Sequence, residues 1–282
     1  MGVLNLTPDS FSDGGSWAEP SRAVEGGLAM LEQGADILDL GAESTRPGGG
    51  VYGAGARTVP ADEELSRLMP VLEPLRRATV APISVDTRKG EVALQALAAG
   101  ADLINDVSAL ADPALGRAAA AAGAALVLMH SRGELATMQR GISFGDLLGE
   151  VRSELALAVA RAEAAGVDAG QLILDPGIGF GKTAEQNLEL LRRLGELRVL
   201  GRPLLLGASR KSFLARALEM ELAGRPGEEA AQAANRDPAR RLPASLAAAA
   251  WAAAAAAIIR VHDVAETVQF LAVWHAIEEA RG

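Results

Sequence analysis

The sequence contains no cysteine. That removes disulfides, zinc–thiolate centres and thiol nucleophiles together. Aromatic residues supply only 3% of the 282 positions. The core must therefore be built from Ala, Leu, Val and Ile, and a hydrophobic content of 49% is enough for one. Of the 27 basic residues only Lys89, Lys182 and Lys211 are lysines; the rest are arginines. The formal net charge of −9 argues against a general nucleic-acid-binding surface, though not against a local basic pocket. Long hydrophobic runs are also missing. The Ala-rich stretch 247–257 is too short to span a bilayer and is followed closely by Arg260. The chain opens inside its first apolar run, so no leader segment and no membrane partner are expected, and a cytoplasmic location fits.

What is present is a repeating grammar. Val3–Leu6 reads as a short strand that breaks at Pro8 into a polar loop ending at Gly14 and Gly15. Short apolar runs recur at Asp36–Leu40, Pro82–Asp86, Asp102–Val107, Ala125–His130, Gln171–Asp175, Pro203–Gly207 and Ile258–His262. Helical patterns separate them, near Ser21–Gln33, Ala61–Ala78, Glu91–Ala99, Pro113–Ala122, Asp146–Ala165, Ala184–Leu197 and Pro243–Ala257. A last helix is expected over Val264–Glu279. Alternating strands and helices imply parallel strands with right-handed crossovers. Eight such units in one domain spanning 1–282 predict a (β/α)8 TIM barrel, with a doubly wound open sheet as the alternative. The polar segment Leu222–Arg241 reads as an excursion after the seventh strand.

In a barrel of this kind the C-terminal strand ends build the active face. The polar residues there are Asn5, Asp39, Asp86, Asn105 with Asp106, His130, Asp175, Ser209 with Lys211, and Arg260 with His262. The segment Asp175–Thr183 does not match a phosphate-binding P-loop. The first glycine of that motif would have to stand where Pro176 is. It reads instead as a loop carrying Asp175 and Phe180 toward a ligand. Arg260 and His262 are two residues apart on a strand and so face the same way. With Arg46, and with Lys211 at a helix N-terminus, they could hold an anion. Asp86, Asn105 and Asp175 offer carboxylate and amide groups to a polar heterocycle.

Taken together, these residues resemble the dihydropteroate synthases. The matching segments are Asn5–Gly15, Glu43-Ser-Thr-Arg-Pro-Gly48, Ser84-Val-Asp-Thr87, Ile104-Asn-Asp106, Met129-His130, Leu174–Lys182, Ser209-Arg-Lys-Ser212 and Arg260-Val-His-Asp263. The resemblance implies condensation of 6-hydroxymethyl-7,8-dihydropterin diphosphate with 4-aminobenzoate, giving 7,8-dihydropteroate and diphosphate. It implies that Asp86, Asn105, Asp175 and Lys211 hold the pterin, and that Arg46, Arg260 and His262 hold the diphosphate. It assigns Thr45, Pro47, Phe180 and Ser209 to the aminobenzoate, which sulfonamides mimic. It implies Mg²⁺ placed by Asn5, a catalytic set of Asp9, Lys211, Arg260 and His262, and a homodimer. Related readings are a catalytically silent pterin-binding paralogue and a pterin-dependent methyltransferase. After the fifth strand the family usually carries Met-His-Met-Gln-Gly, whereas this chain has Met129-His-Ser-Arg-Gly133.

Overall fold

Strand residues of this protein alternate sharply between two environments. In the computed structural model, which describes residues 1–7, 19–44, 58–133, 138 and 141–280, one set of strand side chains points into the ring. Met1, Leu103, Val127, Ile173 and Leu205 form a small interior cluster with Ile37 and Ile258 against it. The other set, including Leu4, Leu38, Leu40, Ile83, Val85, Leu126, Leu128, Leu172 and Leu174, points outward into the main core shared with the helices. The two-residue period of a strand produces this division.

Among the described residues eight strands alternate with ten α-helices. They run β1 (Gly2–Asn5), α1 (Pro20–Glu32), β2 (Leu38–Gly41), α2 (Ala61–Ala78), β3 (Ile83–Asp86), α3 (Gly90–Ala98), β4 (Leu103–Asp106) and α4 (Pro113–Ala122). They continue with β5 (Ala125–Met129), α5 (Leu147–Ala164), β6 (Leu172–Asp175), α6 (Ala184–Arg192), β7 (Leu205–Leu206), α7 (Ser212–Leu222) and α8 (Glu228–Arg236). The chain finishes with α9 (Leu242–Ala253), β8 (Ile258–Ile259) and α10 (Val264–Glu279). Strands β1 to β6 pair in sequence order, all parallel, and β7 pairs with β8. Two seams close the ring. Leu174 N donates to Pro203 O at 3.0 Å, and Val3 N donates to Val261 O at 2.9 Å. The result is the expected single-domain (β/α)8 barrel.

Local chemistry sets the helix ends. Asp112 accepts from Ala114 N at 2.9 Å, with Pro113 at the first helical position of α4. Thr183 and Gln186 form a reciprocal capping box at the start of α6. Helix α2 carries Asp62, Glu63 and Glu64 in its first turn and Arg76 and Arg77 in its last, which complements its dipole. Three expectations need correction. The seventh and eighth strands shorten to two residues each. The helix expected over Ala184–Leu197 stops at Arg192 and continues as a 3₁₀ segment, Leu194–Leu200. The excursion Leu222–Arg241 is largely helical, because α8 buries Ala231 and Ala234 and is tied down by the buried Arg241. That guanidinium donates to Ala234 O at 2.8 Å, Asn235 O at 3.0 Å and Arg210 O at 2.7 Å.

Helix α3 starts in very close contact with α4. A Cβ built on Gly90 would lie 2.5 Å from Ala114 Cβ and 2.8 Å from the Leu115 amide nitrogen. Gly90→Ala is therefore expected to destabilise the fold by about 1–3 kcal/mol, as overpacking does. Gly170, with no atom within 4 Å of its would-be Cβ, serves as control. Urea unfolding of Gly90→Ala and Gly170→Ala should show a loss only in the first.

Candidate active site

The apolar interior layer gives way to a polar one toward the strand C-termini. There a cavity of about 150 Å³ opens, and every described side chain that the resemblance assigns to a ligand lines it, whereas Asp39, Asp106 and His130, also expected on this face, do not. Asn5 ends β1, Asp86 ends β3, Asn105 lies in β4 and Asp175 ends β6. Phe180 comes from the β6–α6 loop, and Ser209 and Lys211 from the β7–α7 turn. Arg260 and His262 leave β8 on the same side, as their spacing predicts. Asp9, Thr45, Arg46 and Pro47 lie outside the described residues.

Arg260 points down the barrel rather than out of it. Its Nε donates to Asp39 Oδ2 at 2.6 Å, and its Nη2 to Asp86 Oδ2 at 3.2 Å. Asn105 Nδ2 donates to the same Asp39 oxygen at 3.3 Å. Burial pushes the Asp86 carboxyl up to about 8, against the pull of Arg260 and with the help of Asp39. Arg260 makes its shorter bond to Asp39. Asp86 Oδ1 is buried and has no partner among the described protein atoms. At the rim His262 lies against Ser209, with Nδ1 and Oγ 3.2 Å apart.

The β6–α6 loop folds back on the site. Asp175 Oδ1 accepts from Gly177 N at 2.7 Å. Burial raises the Asp175 carboxyl, opposed chiefly by Lys211. Lys211 donates to Ile178 O and holds its Nζ 4.7 Å from the Phe180 ring centroid. Burial lowers the Lys211 ammonium to about 8. Gly177 has φ +69°, and a Cβ there would lie 1.8 Å from His130 O, so only glycine fits. Gly-rich spacing in this segment thus serves close packing and turning, not nucleotide binding.

The neighbouring turn has its own supports. Arg210 adopts φ +58°. Its amide donates to Ser245 Oγ at 2.9 Å and its Nε to Asp263 Oδ2 at 3.0 Å. Lys211 is thereby turned inward while Arg210 faces α9 and the end of β8. On the opposite wall Glu43 accepts from Val59 N at 2.8 Å, Arg88 Nε at 3.2 Å and Lys89 Nζ at 2.9 Å. Burial would raise the Glu43 carboxyl, but Arg88, the Val59 amide and Lys89 outweigh it and hold it below the usual range. Lys89 also reaches the fully buried Glu64. Sequence reasoning gave Asp39, Glu43 and Lys89 no specific role. For Asp39 the signal existed, since it sits on the inward register of β2 two residues before Gly41.

A closed parallel barrel with buried carboxylates and cations converging at its C-terminal mouth defines a ligand-binding α/β enzyme. Residues 1–262 match the model of the pterin binding enzyme family, and the chain belongs to that family. A dihydropteroate synthase of Synechocystis is 45% identical over 98% of this chain and 89% of its own length. A Yersinia pestis dihydropteroate synthase solved with a sulfonamide drug superposes with a TM-score of 0.88 at 40% identity, covering 99% of this chain and 94% of that one. A Xanthomonas albilineans dihydropteroate synthase in complex with 7,8-dihydropteroate gives a TM-score of 0.78 at 37% identity, covering 99% and 92%. Within the family the chain therefore falls among the dihydropteroate synthases, which are transferases.

The raised carboxyl of Asp86 has a stability consequence. A carboxyl whose folded value exceeds its unfolded value takes up a proton on folding. Its contribution is present below about pH 4 and is lost as pH rises through about 8. Asp86→Asn, which mimics the protonated form, should flatten the decline in folding free energy between those limits. Urea titrations at pH 5 and pH 8.5 measure it: the difference between the two pH values should be smaller in the variant than in the unaltered protein.

Proposed function

We propose that this site joins 6-hydroxymethyl-7,8-dihydropterin diphosphate to 4-aminobenzoate in folate biosynthesis. The carrying observation is the convergence of Asp86, Asn105 and Asp175 with Lys211 and Arg260 in one cavity. The carboxyl and amide groups suit the N–H and carbonyl edge of a pterin, and Asp86 Oδ1 is a buried oxygen with room for such a donor. Lys211 would donate to a ring acceptor while its ammonium stays over the Phe180 ring. Phe180 and Ser209, with Thr45 and Pro47, would border the aminobenzoate. Arg46 and His262 would face the diphosphate, whereas Arg260, expected there from the sequence, is turned to Asp39 and Asp86. Asp9 would close over the reacting centre.

The reaction breaks the bond between the pterin methylene carbon and the diphosphate oxygen. The oxygen keeps the electron pair, and the cationic carbon is stabilised by delocalisation into the pterin. The arylamine nitrogen then bonds to that carbon and releases a proton. No enzyme nucleophile is required, in keeping with a cysteine-free chain. The side chains orient the pterin plane, place cationic charge where the leaving group develops its own, and exclude water. Arg260, tied to Asp39 and Asp86, would act mainly on the pterin side, leaving the rim to His262. This division differs from a simple Arg–His diphosphate clamp.

Asn5 offers a hard oxygen at the cavity edge. Among the described residues there is no cluster of three acidic or histidine ligands. That donor set suits Mg²⁺, which keeps most of its waters and is shared with substrate phosphates. When bound, Mg²⁺ would neutralise the departing diphosphate. The cations beside the pterin carboxyls favour diphosphate departure over methyl transfer. Homodimer assembly belongs to the same proposal and is supported by Trp251, exposed on the Ala-rich α9. No helix among the described residues is long and apolar enough to cross a membrane. Cytoplasmic residence is proposed with it.

Asp175→Asn should weaken pterin diphosphate binding by about 2 kcal/mol, from loss of a charge-assisted pair. Calorimetry checks it, and unchanged affinity would remove Asp175 from the site. The rim and the interior should separate. His262→Ala is expected to weaken the diphosphate substrate several-fold while leaving the pterin alcohol bound as before. Arg260→Ala is expected to weaken both ligands, because it strips Asp39 and Asp86 of their shared cation. Titrating each variant with both ligands distinguishes the two roles.

A further inference from the structure

Lys182 lies behind the β6–α6 loop, 3% exposed and outside the cavity wall. An ammonium has three N–H donors. Burial lowers this ammonium to about 7, opposed chiefly by Asp175, and in the charged form all three are engaged: His130 Nδ1 at 2.9 Å, Gly177 O at 3.0 Å and Phe180 O at 3.0 Å. His130 is kept neutral, since burial and the Lys182 charge lower it far below its usual value. Its Nε2 is 3.0 Å from Glu154 Oε2. No hydrogen bond forms there among the described residues, so the carboxylate acts by charge. It still favours the proton on Nε2 and leaves Nδ1 as an acceptor for Lys182.

The two carbonyls that Lys182 holds bracket Ile178, whose own carbonyl accepts from Lys211. The second belongs to Phe180, whose ring lies under the same Lys211 ammonium. A buried charge is costly unless every donor is met. A methionine would fill the same volume without it, so packing alone does not account for this lysine.

We propose that Lys182 is a positioning residue for the condensation: by fixing the Gly177 and Phe180 carbonyls it sets Phe180 and Lys211 where they frame the aminobenzoate and the pterin. The proposal rests on the aminobenzoate reading of Phe180 given above. Pterin contacts made by Asp86 and Asn105 come from other strands and do not depend on this loop. Loss of Lys182 should therefore fall unevenly on the two substrates.

Steady-state product formation tests it, beginning with the unaltered chain. No product from that chain would overturn the activity reading itself. With activity present, Lys182→Met should raise KM for 4-aminobenzoate by about tenfold and KM for pterin diphosphate by about threefold or less. Lys182→Arg, which restores the charge and donors, should recover part of the difference. In combination with Phe180→Leu the effect should not multiply. If Lys182 acts through Phe180, the double variant has the KM for 4-aminobenzoate of Phe180→Leu alone. Equal rises for both substrates, full multiplication in the double variant, or an unchanged KM for 4-aminobenzoate would each overturn the proposal. Should Lys182→Met not fold, His130→Leu takes one acceptor away from the ammonium. It must shift KM for 4-aminobenzoate in the same direction, and no shift would sink the idea.

Discussion

One guanidinium balances the interior of this barrel. Closing eight strands into a ring brings Asp39 from β2 and Asp86 from β3 within reach of Arg260 beyond β8. Asp39 has no solvent exposure, and Asp86 has almost none. Without the cation, two buried carboxyl groups would face one another across a space that water barely enters. With it, residues 221 and 174 positions apart in sequence are joined through a single side chain. The apolar floor below and the ligand cavity above depend on that balance. The floor excludes solvent, and the cavity inherits a fixed arrangement of charge.

Much of this was legible in the sequence because two periods were present together. Runs of about five apolar residues alternated with helical patterns, and Ala61–Ala78, Pro113–Ala122 and Val264–Glu279 match their helices at both ends. The shared face of Arg260 and His262 followed from their two-residue spacing. Other features were not legible, for physical reasons. The direction in which Arg260 points is set by Asp39, a tertiary partner far along the chain. The 3₁₀ segment after α6 and the shortening of β7 and β8 depend on how the ring closes, which no local pattern encodes. Helix α8 has a polar sequence and is held largely by its two buried alanines and by Arg241, whose burial depends on the carbonyls it meets.

The site walls share a method of support. On one side Glu43, just after β2, gathers Arg88 and Lys89. On another Arg241 and Ser245 hold Arg210 in a left-handed conformation so that its neighbour Lys211 faces inward. On a third Lys182 gathers the carbonyls of the β6–α6 loop. Each uses a buried or half-buried cation to order backbone that has few apolar contacts of its own. Loops that must meet a polar ligand cannot be packed with leucines, so they are held by charge.

The scarcity of lysine acquires a different meaning once these positions are seen. Lys89 is about one-fifth exposed and is paired with Glu43 and Glu64. Lys182 and Lys211 are turned into the protein. The three lysines thus offer reagents little freely exposed amine, although the sequence is rich in arginine. Acylating labels, aldehyde cross-linkers and amine-coupled supports would find little to attach to while the barrel is closed. Their uptake would serve as a gauge of how often it opens.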